Sequence, residues 1–523
     1  MTGYTGKIIR GREKIEREYV PFLSDEARIS PSVPELLYFP ENTREVSHAL
    51  ADCTAQGTVC TVSGGRTGIG GGAVPSDRSS AIISLERLQP QVKVKWDERC
   101  GTWTAEVGAG LKLQEFLTIL KQKRYASEND PPAGLFFPVD PTETSATLGG
   151  MAATNASGAR TLYYGAMRKW VLGVTVVLAD GRVLRLKRGE HVCSGGVITL
   201  SHAAGELKIP VSPITIPPTK HTAGYYLTED TDAVDLFIGS EGTLGIVTEL
   251  QLKLTLPGAY NMYATVFLSE DNPVEPVRAL LNHSGLPPVA LEYMDAASLK
   301  LLRQFRKEQG EASGVPQLPA NTEAVLYLEY NFQDKEAAVE GAETLSRLLQ
   351  SEGQSSDTTW AGFSYRTLTA MKKFRHALPE RVNALIAERK QNIPGLTKIG
   401  TDMAVPVEEL EKMLKEYREV LTGKDLDFCI FGHIGNGHVH VNILPKDSGE
   451  MELGWEAYTS LARSVRKKGG SICAEHGIGR LKRKLLPIQF TKTEIDVMKK
   501  VKRTLDPQNR LNPDVLFPEE PET

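Results

Sequence analysis

The two halves of the chain differ in how their hydrophobic residues are spaced. Between residues 35 and 255, β-branched runs such as AIISLERL and GIVTELQLKL alternate with turn signals such as Ala179-Asp180-Gly181, which predicts short strands joined by tight turns. From about residue 260 to 430, apolar residues recur at helical spacing in ASLKLLRQFRKE and VEELEKMLKEYREVL, with strand-like runs AVLYLEYNF and DFCIFGHI between them. The pattern therefore predicts a mainly sheet half followed by an α+β half.

Length and composition narrow the class of protein. A chain of 523 residues is too long for one ordinary core, so we expect two or three domains. The sequence has no apolar stretch near the roughly 20 residues that span a bilayer, and its charged amino terminus favours the cytoplasm. Six cysteines without CxxC spacing predict free thiols, and a net charge of −4 argues against a nucleic-acid binder.

Three runs of small residues stand out in the first half. Residues 62–75, VSGGRTGIGGGAVP, contain a formal GxGxxA match, but Pro75 and a strand-like run follow where a Rossmann fold needs a helix. Such a run is either a flexible surface loop or a loop whose N–H groups face phosphate oxygens. The further runs at 138–158 and 239–250 favour the second interpretation, because their composition suits a flat ligand lying against the backbone.

The motifs SGGRTG, PVDPTETSATLGGMAATNASG and GSEGTLGIV, in this order and spacing, resemble the FAD-binding domain of the vanillyl-alcohol oxidase and p-cresol methylhydroxylase (PCMH) family. The fold class implied is α+β, a PCMH-type FAD-binding domain plus an α+β, ferredoxin-like cap or substrate domain. The implied boundaries are an N-terminal helical segment at 1–34, the FAD domain at 35–257, the cap domain with a metal site at 258–490, and a C-terminal segment at 491–523 that returns to the FAD domain.

The same resemblance assigns residues to the cofactor. Those implied to bind the FAD pyrophosphate are Gly64, Gly65, Arg66, Thr67 and Gly68. Those implied to line or close the cofactor site are Pro138, Asp140, Thr144, Gly149, Gly150, Ala153, Asn155, Ser157, Gly158, Glu241, Gly242 and Ile246. Some family members attach FAD through a histidine, and because the first two runs contain none, we expect non-covalent FAD.

Three of the ten histidines fall within FGHIGNGHVHVN, residues 431–442. Asn436-Gly437 is a type I′ hairpin signal, and a two-residue loop would place His433 directly opposite His440. Opposed side chains have Cβ atoms about 4.5–5.5 Å apart, so both imidazoles could bind one metal. His438 shares that face and could be a third ligand, an outer partner of a ligand or a substrate contact; incidental histidines are the alternative.

A carboxylate in AEHGIG completes a candidate metal site. Glu475 would add an oxygen ligand to two imidazoles, and a 2-His-1-carboxylate set leaves coordination positions open for substrate. The donor atoms suit Zn²⁺, Mn²⁺ or Fe²⁺. His476 follows directly and could accept a proton.

Together, GHIGNGHVHVN and AEHGIG resemble the D-2-hydroxyacid dehydrogenase branch of that family, which includes D-lactate and D-2-hydroxyglutarate dehydrogenases and the glycolate oxidase flavin subunit. The resemblance implies metal ligation by His433, His440 and Glu475 and a base at His476. It implies a substrate-carboxylate contact from Arg375, for which an exposed helical arginine is the alternative; His438 and Asn442 are further predicted substrate contacts. Two departures are a histidine at 438, where the family often has asparagine, and Asn-Pro-Asp-Val at 512–515 in place of Asn-Pro-Gly-Lys.

The predicted activity is FAD-dependent, divalent-metal-assisted oxidation of a D-2-hydroxy acid, with D-lactate as first guess, to the 2-oxo acid by hydride transfer to flavin N5. Two alternatives stay open: a flavin subunit of a glycolate oxidase-type complex, and a non-redox flavoprotein like alkylglycerone-phosphate synthase. The electron acceptor would be a quinone, a cytochrome, an electron-transfer flavoprotein or a partner subunit. Basic residues at 463–484 could steer an anionic substrate or contact the inner face of a membrane, and a homodimer is left open.

Overall fold

A computed structural model describes residues 4–29, 31–76, 80–202, 205–354 and 359–517. Within these ranges no helix combines the length and the apolar character needed to cross a membrane. The six cysteines, all of them described, are free thiols, as predicted.

The described strands are β1 Lys7–Arg10, β2 Leu36–Phe39, β3 Cys60–Ser63, β4 Ala81–Ser84, β5 Lys93–Asp97, β6 Thr102–Gly108, β7 Val171–Val177, β8 Val183–Lys187, β9 Val197–His202, β10 Gly205–Pro210, β11 Ile246–Lys253, β12 Tyr260–Leu268, β13 Ala290–Met294, β14 Ala324–Phe332, β15 Thr359–Gly362, β16 Ile399–Gly400, β17 Phe428–Gly432 and β18 His440–Ile443. The described helices are α1 Arg12–Glu18, α2 Thr43–Ala55, α3 Leu113–Lys121, α4 Leu148–Ala153, α5 Thr161–Tyr164, α6 Ala233–Phe237, α7 Val274–Asn282, α8 Ala296–Gln309, α9 Lys335–Ser351, α10 Tyr365–Asn392, α11 Leu410–Gly423, α12 Ser448–Lys467, α13 Leu486–Gln489 and α14 Lys492–Leu505.

Three sheets form the first half of the described chain. One has the order β1-β2-β4-β3, in which β2, β4 and β3 run parallel; the second is antiparallel with the order β5-β6-β11-β7-β8; and the third is the antiparallel pair β9-β10. Every residue of β4 is buried, as expected for a parallel strand covered on both faces. The turn predicted at Ala179-Asp180-Gly181 does join β7 to β8, and Gly181 supplies the positive φ of 87° that this turn requires.

The second half is built on one seven-stranded sheet of order β15-β12-β14-β13-β17-β18-β16, with antiparallel neighbours throughout. Helices cover both faces. Met294 of β13 packs with α8 and α10, whereas Leu291 of the same strand packs in the cluster that contains residues of α7, α9, α11 and α12. Because side chains alternate along a strand, Glu292 lies on the α10 face. The α+β class predicted from the sequence is confirmed.

The end of the chain returns to the first sheet. Helix α14 begins with a capping box in which Thr491 and Glu494 exchange hydrogen bonds. Beyond it, Cys60 N of β3 donates to Arg510 O at 2.8 Å, and Asn512 N donates to Cys60 O at 3.0 Å. The C-terminal segment therefore lies beside the strand that leads into the first glycine run. The four predicted segment boundaries stay predictions.

Candidate active site

One cavity of about 380 Å³ lies between the two halves of the chain. Loop residues from the first half line one side of it. The polar side chains that line the other side include Glu292, Arg375, His433, His440, Glu475 and His476. Residues singled out separately in the sequence thus share one space.

The loop after β3 lines the cavity without forming a helix, which agrees with the rejection of a Rossmann motif. A Cβ on Gly65 would meet Thr147 N at 3.1 Å, so this glycine allows the loop to pack on its neighbour. A Cβ on Gly68 would meet nothing within 4 Å and would project into open space. Arg66 has a φ of 58°, and its guanidinium lies 4.3 Å from the centre of the Phe22 ring. A glycine loop with a held arginine fits the pyrophosphate of FAD.

Most of the residues predicted to contact FAD line this cavity: Gly64, Gly65, Arg66, Thr67, Gly68, Gly149, Gly150, Ala153, Ser157, Glu241, Gly242 and Ile246. Five are not among its lining residues: Pro138, Asp140, Thr144, Asn155 and Gly158. Asn155 accepts a hydrogen bond from Arg168 N at 2.9 Å, and a Cβ on Gly158 would lie 2.1 Å from Asp140 O. These two residues hold the loop's shape. Their predicted cofactor role stays a prediction.

Glu241 joins the flavin-domain loop to the loop that carries His476. Its carboxylate accepts Ile478 N and Gly479 N, each at 2.8 Å, and its own backbone has a φ of 53°. Burial raises the pKa of Glu241 to about 7. Asn512 of the C-terminal segment donates to Glu241 O at 2.9 Å, so three distant parts of the chain meet at this residue.

The hairpin predicted at Asn436-Gly437 is wrong in its register. Phe431, and not His433, pairs directly with His440, and residues 434–436 form a 3-10 turn. The physical reason is a tertiary contact: Val405 N donates to Gly437 O at 3.0 Å, and a Cβ on Gly437 would lie 1.9 Å from Val405 O. The loop is therefore wider than a two-residue turn and presses against residues 404–405.

The three imidazoles still converge on one carboxylate oxygen. Glu475 Oε2 lies 3.3 Å from His433 Nε2, 3.6 Å from His440 Nε2 and 4.0 Å from His438 Nδ1. The candidate ligand atoms of these four residues all lie within 4.8 Å of one another. Three nitrogens and an oxygen at this spacing fit a divalent transition metal.

Outer partners orient the cluster. His433 Nδ1 lies 2.6 Å from Glu292 Oε1, and His440 Nδ1 lies 3.2 Å from Thr401 O. Lys220 donates to Glu475 Oε1 at 2.8 Å. Burial alone would lower the pKa of His433, but Glu292 and Glu475 raise it to about 9. Burial likewise favours a higher pKa for Glu475, yet Lys220 and His433 hold it well below its usual range.

Asp402 organises the loop that carries His476. Its Oδ1 lies 3.3 Å from His476 Nδ1, and its Oδ2 accepts Lys482 Nζ at 2.7 Å and His476 N at 3.0 Å. Burial would raise the pKa of Asp402, but the Lys482 ammonium together with His476 and His438 holds the pKa well below its usual range. His476 lines the cavity with its side chain about a third exposed.

The predicted substrate residues are placed differently from one another. Arg375 of α10 lines the cavity and donates to Glu292 Oε2 through Nε at 3.1 Å and Nη2 at 3.0 Å. Asn442 is buried in β18 opposite Cys429 and is not among the cavity's lining residues. His438 is fully buried behind the lining.

Sequence reasoning missed Glu292, Asp402 and Lys220. Each contacts the site through residues far away in sequence; Lys220 and Glu475, for example, are 255 positions apart. Glu292 carried one usable signal, since a carboxylate inside the buried strand ALEYM needs a partner. Asp402 and Lys220 carried none.

Comparisons with known proteins match both halves of the chain that line the cavity to FAD-related families. The family described as FAD linked oxidases, C-terminal domain, matches residues 256–516, and the family described as FAD binding domain matches residues 34–187. The chain is 28% identical to the glycolate oxidase subunit GlcD of Bacillus subtilis, covering 93% of this chain and 89% of that one. It is 29% identical to a probable mitochondrial D-lactate dehydrogenase of Danio rerio (92% and 84% covered) and to a D-2-hydroxyglutarate dehydrogenase of Xanthomonas citri pv. viticola (92% and 89%).

Solved structures support the same fold. A p-cresol methylhydroxylase with substrate bound superposes with a TM-score of 0.67 at 14% identity, covering 97% of this chain and 93% of that one. An alkyldihydroxyacetonephosphate synthase superposes with a TM-score of 0.61 at 16% identity, covering 93% and 77%. Two family matches that together span both halves, relatives along nearly the whole length and this shared fold lead to one conclusion. The chain belongs to the FAD-linked oxidase family of flavoproteins.

Proposed function

We propose that this FAD-linked oxidoreductase oxidises a D-2-hydroxy acid to the 2-oxo acid with the help of a divalent metal, with D-lactate as the first substrate to test. The observation that carries the proposal is the convergence of His433, His440 and Glu475 in the same cavity as the glycine loops. The names of the relatives, a D-lactate dehydrogenase and a D-2-hydroxyglutarate dehydrogenase, support the substrate class.

The residues present fit both groups that the proposal requires. Arg66 and the glycine loop around Gly68 would hold the FAD pyrophosphate, and His433, His440 and Glu475 would hold the metal. Bound FAD would supply a two-electron acceptor, and a bound metal would supply a Lewis acid that lowers the pKa of the substrate hydroxyl.

Proton transfer falls to His476. Asp402 Oδ1 lies 3.3 Å from Nδ1 of the His476 ring, so in the proposed mechanism the ring carries a proton on Nδ1, facing this carboxylate, and Nε2 accepts the substrate hydroxyl proton. A base placed in this way contributes typically about 10²–10⁴-fold to the rate. Lys482 keeps Asp402 ionised, so the imidazolium that forms is paired with a carboxylate.

Substrate orientation falls to Arg375. Its Nε and Nη2 donate to Glu292, so a substrate carboxylate would meet the remaining nitrogen, Nη1. Glu292 also holds His433, and it therefore fixes the distance between the carboxylate site and the metal site. That fixed distance favours a 2-hydroxy acid, whose carboxylate and hydroxyl lie on adjacent carbons, over an acid with a more distant hydroxyl.

One alternative keeps support from a relative. The Bacillus subtilis protein is a glycolate oxidase subunit, so this chain could pass electrons onward only within a complex. In that case substrate would still reduce the flavin, but turnover with quinone, cytochrome or electron-transfer flavoprotein would require a partner subunit.

Anaerobic flavin reduction tests the proposal. The holoenzyme would be mixed with D-lactate, L-lactate, glycolate or D-2-hydroxyglutarate, and flavin bleaching followed near about 450 nm. We expect a D-acid to bleach the flavin, chelator to abolish bleaching, and added metal to restore it. Bleaching that survives chelation would overturn the metal's role. If photoreduction bleaches the flavin but no hydroxy acid does, the dehydrogenase proposal fails and a non-redox flavoprotein replaces it.

A further inference from the structure

We propose that His438 is a fourth protein ligand of the metal, which makes the site a three-histidine, one-glutamate centre. This inference rests on the proposed function, because it extends the predicted set of His433, His440 and Glu475. It concerns the position at which this chain departs from the asparagine common in the resembling branch.

The position of the His438 ring supports ligation. Its Nδ1 lies 4.0 Å from Glu475 Oε2, and its ring centre lies 4.5 Å from that of His440 and 5.4 Å from that of His433. The side chain is fully buried. Within the described part of the chain, neither ring nitrogen makes a hydrogen bond of acceptable geometry. A buried imidazole aimed at a metal site without such a bond requires a partner.

The three imidazoles are arranged alike. Each directs one nitrogen toward Glu475 Oε2 and the opposite nitrogen toward an oxygen outside the cluster. The outer oxygens are Glu292 Oε1 for His433 at 2.6 Å, Thr401 O for His440 at 3.2 Å and Asp402 Oδ1 for His438 at 3.4 Å. A metal-binding histidine almost always donates to an outer oxygen, and the Asp402 oxygen 3.4 Å from His438 Nε2 occupies the corresponding position, although the contact does not have hydrogen-bond geometry.

A purely structural role accounts less well for His438. Among the described residues, Asp402 offers His438 Nε2 an oxygen at 3.4 Å, but His438 Nδ1 faces Glu475 Oε2 at 4.0 Å, so a purely structural role would leave Nδ1 without a hydrogen bond. The loop also places His438 inward for a reason of its own. Residues Ala404 and His438 form a β-bridge, so the contact that widened the hairpin sets the ring against the cluster.

Four protein ligands determine how many coordination positions of the metal would remain for the substrate. A six-coordinate ion would retain two positions, which match the carboxylate and hydroxyl oxygens of a 2-hydroxy acid. A tetrahedral ion would retain none. Three imidazoles also favour Fe²⁺, Co²⁺ or Zn²⁺ over Mg²⁺ and Ca²⁺, which prefer oxygen. We therefore expect the site to bind a transition ion in preference to Mg²⁺ or Ca²⁺.

Co²⁺ binding to the FAD holoenzyme tests the ligand set without measuring turnover. The chelator-stripped protein would be titrated with Co²⁺, with affinity measured by competition and coordination by d–d absorption. His438→Asn should weaken binding at least about tenfold and alter the d–d bands. His48→Asn, a histidine on α2 away from the cavity, is the matched control and should change neither. Flavin content and melting temperature would verify folding.

The outcomes separate the two proposals. If His433→Asn and His440→Asn abolish Co²⁺ binding while His438→Asn matches the unaltered protein in affinity and spectrum, His438 is not a ligand and the proposed function stands. If none of the three substitutions affects binding, the metal centre itself is wrong. Should His438→Asn fail to fold, the unaltered Co²⁺ protein decides the question, because paramagnetically shifted imidazole N–H signals number three for the proposed centre and two otherwise.

Discussion

Replacing Glu292 with glutamine should weaken the metal site without touching a metal ligand. Glu292 Oε1 lies 2.6 Å from His433 Nδ1, and its Oε2 accepts both hydrogen bonds from Arg375. Glutamine keeps the size and one acceptor but loses the charge. His433 then loses the carboxylate that raises its basicity and fixes its tautomer, and Arg375 loses its buried counter-charge.

The magnitude follows from the two contacts. Loss of an outer carboxylate partner typically costs about 10–100-fold in metal affinity, or roughly 1.4–2.7 kcal/mol. Breaking a buried ion pair costs about 3–5 kcal/mol of unfolding free energy, and the side chains of Glu292 and Arg375 are 6% and 18% exposed. We therefore expect Glu292→Gln to lower both metal affinity and stability.

A neighbouring glutamate separates these two effects. Glu329 of β14 is buried and has two partners of its own, Arg160 Nε at 2.9 Å and Tyr327 OH at 2.8 Å, but its hydrogen bonds do not include a histidine. Glu329→Gln should therefore destabilise the protein to a similar degree and leave metal affinity unchanged. Metal affinity would be measured by chelator competition on the FAD holoenzyme, and stability by urea unfolding.

Two results would refute this reasoning. Equal metal affinity in Glu292→Gln and the unaltered protein would mean that Glu292 does not support His433 as a ligand. A loss of affinity as large in Glu329→Gln would mean that the effect is general destabilisation.

Three further predictions address the rest of the molecule. Gly68→Val should weaken FAD binding by roughly tenfold or more, measured by flavin fluorescence, because the side chain enters space that FAD would occupy. Lys502→Met should lower the unfolding free energy, measured by urea unfolding, by about 3–5 kcal/mol, because the buried Asp506 carboxylate loses its cation. Burial would raise the pKa of Asp235, but Arg188 lowers it. The stabilisation that the Asp235 carboxylate contributes is therefore present above about pH 4 and is lost as pH falls further. In Asp235→Asn the unfolding free energy should depend less on pH in this acidic range.

Short local patterns allowed much of the fold and site to be predicted. Each glycine run and each of the two histidine motifs is a contiguous segment, so neighbouring residues within the segment determine its backbone conformation. Strands such as β4 and helices such as α8 likewise follow from the spacing of apolar residues over a few consecutive positions. These elements were predictable because the deciding interactions lie within each segment.

The register of the histidine hairpin was not predictable for the opposite reason. Asn436-Gly437 is a strong turn signal by itself, but Gly437 O accepts a hydrogen bond from Val405, and that contact pulls the loop into a wider shape. Ala404, which pairs with His438, is equally remote in the sequence. The tertiary contact outweighed the local preference for a two-residue turn. The imidazoles are therefore brought together by the shape of the loop and not by direct pairing across the strands.

The charges around the cluster connect its construction to the proposed reaction. In the described ranges three buried carboxylates contact a histidine of the cluster or of its loop, and each has its own cation: Glu292 has Arg375, Glu475 has Lys220, and Asp402 has Lys482. These pairs cancel, so a divalent metal would bring two uncompensated positive charges into a buried site. A 2-hydroxy acid that has lost its hydroxyl proton carries two negative charges and would offset the charge of the metal, while the proton lies on His476, whose side chain is about a third exposed. Because uncompensated buried charge is costly, the site favours the deprotonated substrate from which the α-hydrogen leaves.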